Sequence, residues 1–162
     1  VITINGCGLT PPKTSWMNKT NMNQKVRYNT DGQSLNIFME GFRCLGRWII
    51  WQRTFSTGKT NLSIIDKIDS KKNDIVEIRF VINQKAIITN NHPGWIIKIG
   101  NHEVDLNITA ESNSKSLLTG PDKIAAGSIS KTYGEENNCK ILFNSFTAEG
   151  PLNIKSDFRR IR

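Results

Sequence analysis

The chain has 162 residues, of which 37% are hydrophobic and 22% charged, and a net charge of +8. This size suits one domain with a core of its own, without disulfide or metal staples, and no apolar run approaches the roughly 18 residues of a bilayer-spanning helix, so no membrane insertion is expected. The basic excess is uneven, with 12 basic and 6 acidic side chains in residues 1–81 against 10 and 8 in residues 82–162, and it points to an anionic partner such as a nucleic acid, an acidic polysaccharide or a membrane surface.

Ile2-Thr3-Ile4-Asn5-Gly6 reads as a short strand closed by a glycine turn, and the opening at Val1 without Met is expected of a piece of a longer protein. A polar loop with Pro11, Pro12 and Trp16 follows, to about Asn23. Gln24 to Tyr28 reads as a strand, and Asp31-Gly32 supplies hairpin turn chemistry before the alternating Leu35, Ile37 and Met39. After a break at Gly41 to Gly46, Trp48 to Phe55 is apolar and aromatic apart from Gln52 and Arg53. Such a run predicts a strand covered on both faces.

The most legible stretch runs from Asn61 to Ile82. Leu62, Ile64 and Ile68 share one face of a first arm, and Val76, Ile78, Phe80 and Ile82 share one face of a second. The intervening Ser70-Lys71-Lys72-Asn73-Asp74 makes the whole read as a β-hairpin. Beyond Gln84 come Ala86-Ile87-Ile88, a turn at Asn90 to Gly94, and a second hairpin. In it Trp95, Ile97 and Ile99 are joined by Gly100-Asn101 to Val104, Leu106 and Ile108. Ser112 to Gly127 reads as loop, Lys140 to Phe146 as a strand, and Leu152 to Ile161 as the last. With no helical stripe anywhere, the expected fold is all-β, a large antiparallel β-sandwich of two layers, in one domain over residues 1–162.

No catalytic motif is present: there is no G-x-S-x-G, no H-E-x-x-H and no phosphate-binding glycine loop. His92 and His102 fall on turns and lack a third ligand. Asp66/Asp69 and Glu135-Glu136 would be paired carboxylates only by accident of folding. Cys7, Cys44 and Cys139 lack zinc or redox spacing and read as buried free thiols. What remains suits binding. Arg47, Trp48, Trp51, Arg53 and Tyr133 combine flat apolar faces with charge, the means to stack on sugar rings and fork onto carboxylates or sulfates. Trp48 and Trp51 lie in a run that reads as buried and so read first as sandwich core, and the Arg53 guanidinium requires a partner that is either structural or a ligand.

Arg53-Thr54-Phe55, then Leu62-Ser63-Ile64-Ile65-Asp66-Lys67-Ile68, then Val76-Glu77-Ile78-Arg79-Phe80, resemble in order the strands of the heparinase II/III-like C-terminal domain. Val1 to Gly6 is similar to that family's opening strand, and Gly127 to Glu135, with Tyr133, to its late "G-W-x-S-x-x-Y-G" motif. The resemblance implies a sandwich that follows an N-terminal α-helical toroid in polysaccharide lyases. Those enzymes cleave uronic-acid polysaccharides by β-elimination, with the main Tyr and His groups largely in the helical part. This chain departs from the pattern. It begins just after the place of the opening His-Asn, Trp51 stands two before Arg53 where His is frequent, and Ser128 replaces the late Trp. Val81, Ile82 and Asn83 stand where metal-binding members carry histidines.

The expectation is therefore a sandwich forming part of the cleft for an acidic polysaccharide, not catalytic alone, with no cofactor and no metal. Arg53, Tyr133, Trp51 and Arg47 are the expected substrate-binding residues, and the toroid of the same parent protein is the expected partner. A free-standing carbohydrate-binding module is the alternative. A nucleic-acid role is disfavoured by the modest clustering of basic and aromatic residues. A periplasmic or secreted location follows if the parent is a degradative lyase.

Overall fold

The computed structural model describes residues 2–7, 27–30, 32, 34–41, 45–91, 94–112, 115–117, 123–129 and 137–161. Its elements are strands: β1 (Ile2–Ile4), β2 (Arg27–Thr30), β3 (Ser34–Gly41), β4 (Ile49–Thr57), β5 (Asn61–Ile68), β6 (Lys72–Asn83), β7 (Ile87–Asn91), β8 (Gly94–Ile99), β9 (His102–Ser112), β10 (Lys115–Leu117), β11 (Lys123–Ile129), β12 (Asn137–Glu149) and β13 (Leu152–Arg160). A smaller sheet has the order β1-β6-β12-β11. A larger one runs β2-β3-β4-β5-β13-β9-β8-β7, with β10 on β9. All described pairings are antiparallel.

Period-two patterning builds the core between the sheets. From the small sheet Ile2, Ile4, Val76, Ile78, Leu142 and Phe146 meet Trp51, Ile68, Trp95, Leu106, Ile108 and Ile154 of the large one in a single apolar cluster. β13 shows the rule plainly, with Leu152, Ile154 and Ser156 buried between exposed Asn153 and Lys155. One face goes inward and the other meets water, as expected of an antiparallel sandwich.

The stretch from Asn61 to Ile82 is not a hairpin. β5 pairs with β4 and β13, whereas β6 pairs with β1 and β12, so the turn at Ser70 to Asp74 is an arch that carries the chain from one sheet to the other. Alternation identifies the apolar side of each arm but not its neighbour. Ile64 and Ile68 on one side, and Val76 and Ile78 on the other, all enter the core. A second arch, from β12 to β13 through Gly150-Pro151, lies beside the first. Leu152 pairs with Ile68 and Glu149 with Lys72, and the buried Ser70 hydroxyl donates to the Gly150 carbonyl at 2.7 Å.

The local hairpin of this region joins β4 to β5, where Thr57 faces Leu62 and the Gly58 N–H donates to the Asn61 carbonyl at 2.9 Å. The β8–β9 hairpin is as the sequence predicts. Ile99 faces His102, and Gly100 takes a φ of +57° that a side chain would strain. β4 departs from expectation, because it is covered on one face only. Ile49 and Trp51 are buried, while Trp48 and Ile50 are 49% and 54% exposed. The expected loop from Ser112 to Gly127 contains β10 and much of β11. Its Gly and Ala residues disguise a strand, yet they suit its neighbour: a Cβ on Gly127 would lie 2.4 Å from Ile141 Cδ1.

Cys139 is a buried free thiol, as expected, but Cys7 is disulfide-bonded. Sequence spacing carries no sign of such a bond, and Cys44 lies outside the described residues. Reduction is expected to lower the unfolding free energy by roughly 2–4 kcal/mol. Urea titrations with and without dithiothreitol check this: Cys139→Ser should keep the difference and Cys7→Ser should abolish it.

Candidate functional site

The β4–β5 hairpin sets Arg53 directly opposite Asp66, both facing inward. Asp66 is wholly buried and accepts three hydrogen bonds. Arg53 donates from Nε at 2.7 Å and Nη2 at 2.9 Å, and Trp51 donates from Nε1 at 2.7 Å. The guanidinium also lies 4.8 Å from the Trp51 ring centroid and 5.8 Å from that of Phe55. The partner Arg53 requires is thus supplied from within the fold, by a forked carboxylate bond and two aromatic faces. Trp51, 3% exposed, is core. Both carboxylate oxygens of Asp66 are engaged, so the evident chemistry of the arrangement is rigidity.

Arg47 belongs to a different cluster. Its guanidinium pairs with the carboxylate of Asp74, at the foot of β6. Asn5 Nδ2 donates to the same carboxylate at 3.0 Å, and the Lys71 backbone N–H donates at 2.7 Å. Asn5 also closes on the strand itself: its Oδ1 accepts from the Ile75 N–H at 2.8 Å, and its own N–H donates to the Ile75 carbonyl at 2.7 Å. The group ties the β1 turn, the segment before β4 and the β5–β6 arch together.

Burial pushes the Asp74 carboxyl up, but the Lys71 N–H, Arg47 and Asn5 outweigh it and hold the pKa below the usual Asp value. A carboxylate whose folded pKa is depressed stabilises the fold fully above its unfolded pKa of about 3.9, and this contribution is lost as pH falls through the folded pKa. The unfolding free energy should therefore fall below about pH 4, with a shallower decline in Asp74→Asn. Chemical denaturation across pH 2–7 checks this, and identical slopes would remove Asp74 from the account.

The three expected binding residues that are described do not converge on one open site. Trp51 and Arg53 share the Asp66 cluster, Arg47 is bound at Asp74, and Tyr133 lies outside the described residues, as do His92, Glu135 and Glu136. Asp69 is exposed while Asp66 is buried, so the two are not a carboxylate pair, and His102 is exposed at the start of β9. Among the described residues no group of three or more His, Cys, Asp or Glu side chains is arranged to hold a metal.

The structure also shows open features that sequence reasoning passed over. A cavity of about 470 Å³ lies where β6 ends and β12 begins, lined by Val81, Asn83, Gln84, Lys85, Asn137, Asn138 and their neighbours. A smaller groove of about 170 Å³ crosses the outer face of the large sheet, lined by Ile65, Thr109, Glu111, Asn153, Lys155 and Ile154. The available signal was the two amide-rich strand ends, Asn83-Gln84 and Asn137-Asn138, which the β6–β12 register brings side by side.

No family model and no curated protein sequence matches the chain. Solved structures match its fold. A heparinase III with methylated lysines superposes with a TM-score of 0.66 at 9% identity, over 99% of this chain and 23% of that one. A second heparinase III structure gives 0.61 at 11% identity, over 85% and 21%. The heparan sulfate lyase HepC from Pedobacter heparinus gives 0.56 at 10% identity, also over 85% and 21%. The fold is that of a heparinase-like β-sandwich domain, and the chain spans less than a quarter of the length of those proteins.

Proposed function

We propose that this chain is the sandwich part of a heparinase II/III-like polysaccharide lyase, lending one wall to a cleft for an anionic uronic-acid polysaccharide. The observation that carries the reading is the likeness to heparinase III over 99% of the chain. The net charge of +8 suits an acidic polymer.

In this reading β-elimination proceeds elsewhere in the parent protein, on a helical toroid. There a base removes the C5 proton, the uronate carboxylate is neutralised and the leaving oxygen is protonated. The sandwich binds and positions. Tyr133 is its proposed cleft residue, and Arg53, Trp51 and Arg47 hold the strands that frame it.

Binding to immobilised heparan sulfate and alginate, with dextran as neutral control, tests the proposal. Retention should be confined to the acidic polymers and weaken steeply with added salt. Equal indifference to every acidic glycan would overturn it.

A further inference from the structure

On the outer face of the small sheet, alternate residues of three paired strands form parallel rows. Asn83 lies opposite Cys139 and Gly127, Val81 opposite Ile141 and Ala125, and Arg79 opposite Phe143 and Lys123. The first row opens into the cavity of about 470 Å³, whose described lining comprises four amide side chains, Lys85, Val81, Ile82 and Cys139, with no acid. The third row is an aromatic ring held between cations. The Arg79 guanidinium is 5.2 Å from the Phe143 ring centroid, and Lys123 Nζ is 5.0 Å from it. Glu77 pairs with Arg79, which leaves Lys123 and Lys85, among the described residues of this face, as the cations whose charge faces outward.

The cavity wall is preformed. The Ala86 N–H donates to the Asn83 carbonyl at 3.0 Å, and the Lys85 N–H donates to Asn83 Oδ1 at 2.9 Å, so the Asn83 side chain both shapes the turn and retains its NH2 donors. Lys140 Nζ donates to the Ala86 carbonyl and ties the turn to β12. From Asn83 to Arg79 is about 13 Å at the rise of an extended strand. Val81 and Ile141 form an apolar floor between the two ends, kept low because Ile141 lies over Gly127, which has no side chain to lift it.

We propose that this face binds an acidic oligosaccharide lengthwise. One sugar enters the amide-lined cavity with its carboxylate or sulfate on Lys85, and another lies by Phe143 with its acidic group on Lys123. The inference rests on the polysaccharide reading above and assigns it a surface. Amides supply the paired donors and acceptors that vicinal hydroxyls need, and an aromatic face between cations suits an anionic ring. A nucleic acid is less well served, because the one aromatic ring among the described residues of these rows offers little stacking to successive bases.

The test is calorimetry and amide-shift mapping of the 162-residue chain with a heparan sulfate hexasaccharide, with maltohexaose and a single-stranded oligonucleotide as competitors. Lys85→Gln and Lys123→Gln should each weaken binding about tenfold, and Phe143→Leu about fivefold. All three should keep the parent's near-ultraviolet dichroism, and Lys155→Gln, in the groove of the large sheet, should bind as the parent does. Shifts should gather at Asn83–Lys85 and Asn137–Asn138. Binding that Lys155→Gln weakens while Lys85→Gln and Lys123→Gln do not would overturn this surface and leave the polysaccharide reading intact. No binding of the hexasaccharide, or preference for the oligonucleotide, would overturn both.

Discussion

Replacing Asp66 with alanine is expected to lower the unfolding free energy by about 3–5 kcal/mol, among the largest effects of any single substitution in this chain. Asp66 is wholly buried and takes both forks of Arg53 and the indole N–H of Trp51. Without the carboxylate, a guanidinium only 14% exposed keeps its charge with no counter-ion, and the indole loses its acceptor. The loss reflects the stranded cation more than the worth of the pair, so Arg53→Met/Asp66→Leu should recover most of it. A urea-denaturation cycle over the two single variants and the double one measures this. A loss below about 1 kcal/mol for Asp66→Ala would mean that water reaches Arg53 and would remove it from the core.

Phe146→Ala is the second large effect, at about 3–5 kcal/mol. Phe146 is 2% exposed, pairs across from Val76 and reaches into the cluster that joins the sheets, so its removal leaves a void walled by strands with little room to collapse. Phe143 lies three residues earlier on the same strand but on the outer face. Phe143→Ala should lower stability by about 1 kcal/mol, chiefly through the contacts with Arg79 and Lys123. Midpoints of urea unfolding for the two variants, at a common slope, give the comparison. Equal losses would contradict the assignment of inner and outer faces.

That assignment is what the sequence conveys best. Leu106 and Ile108, Val76 and Ile78, and Leu152 and Ile154 are all buried as their alternation requires, because a period of two is a local property of the chain. Partnership is not local. The arch at Ser70 has the length and composition of a hairpin turn. What holds it open is Asp74, bound by Asn5 and Arg47 from 69 and 27 residues away. The Arg53–Asp66 pair was within reach, since a turn at Gly58 to Asn61 fixes the register that sets them opposite. Trp48 and Ile50 misled for a different reason: an apolar run reads the same whether or not a second layer covers its outer face.

The order of strands in the small sheet also sets how the chain finds its fold. Ile2 pairs with Ile78, and Phe80 with Leu142, so this layer must gather segments from the beginning, middle and end of the chain. The β3-β4-β5 and β7-β8-β9 meanders can zip from neighbouring turns. The large layer in turn closes only when β13 enters between β5 and β9, so loop closure makes these long-range joins in both layers the slow step of refolding, which places the chain among the millisecond-to-second folders rather than the microsecond ones.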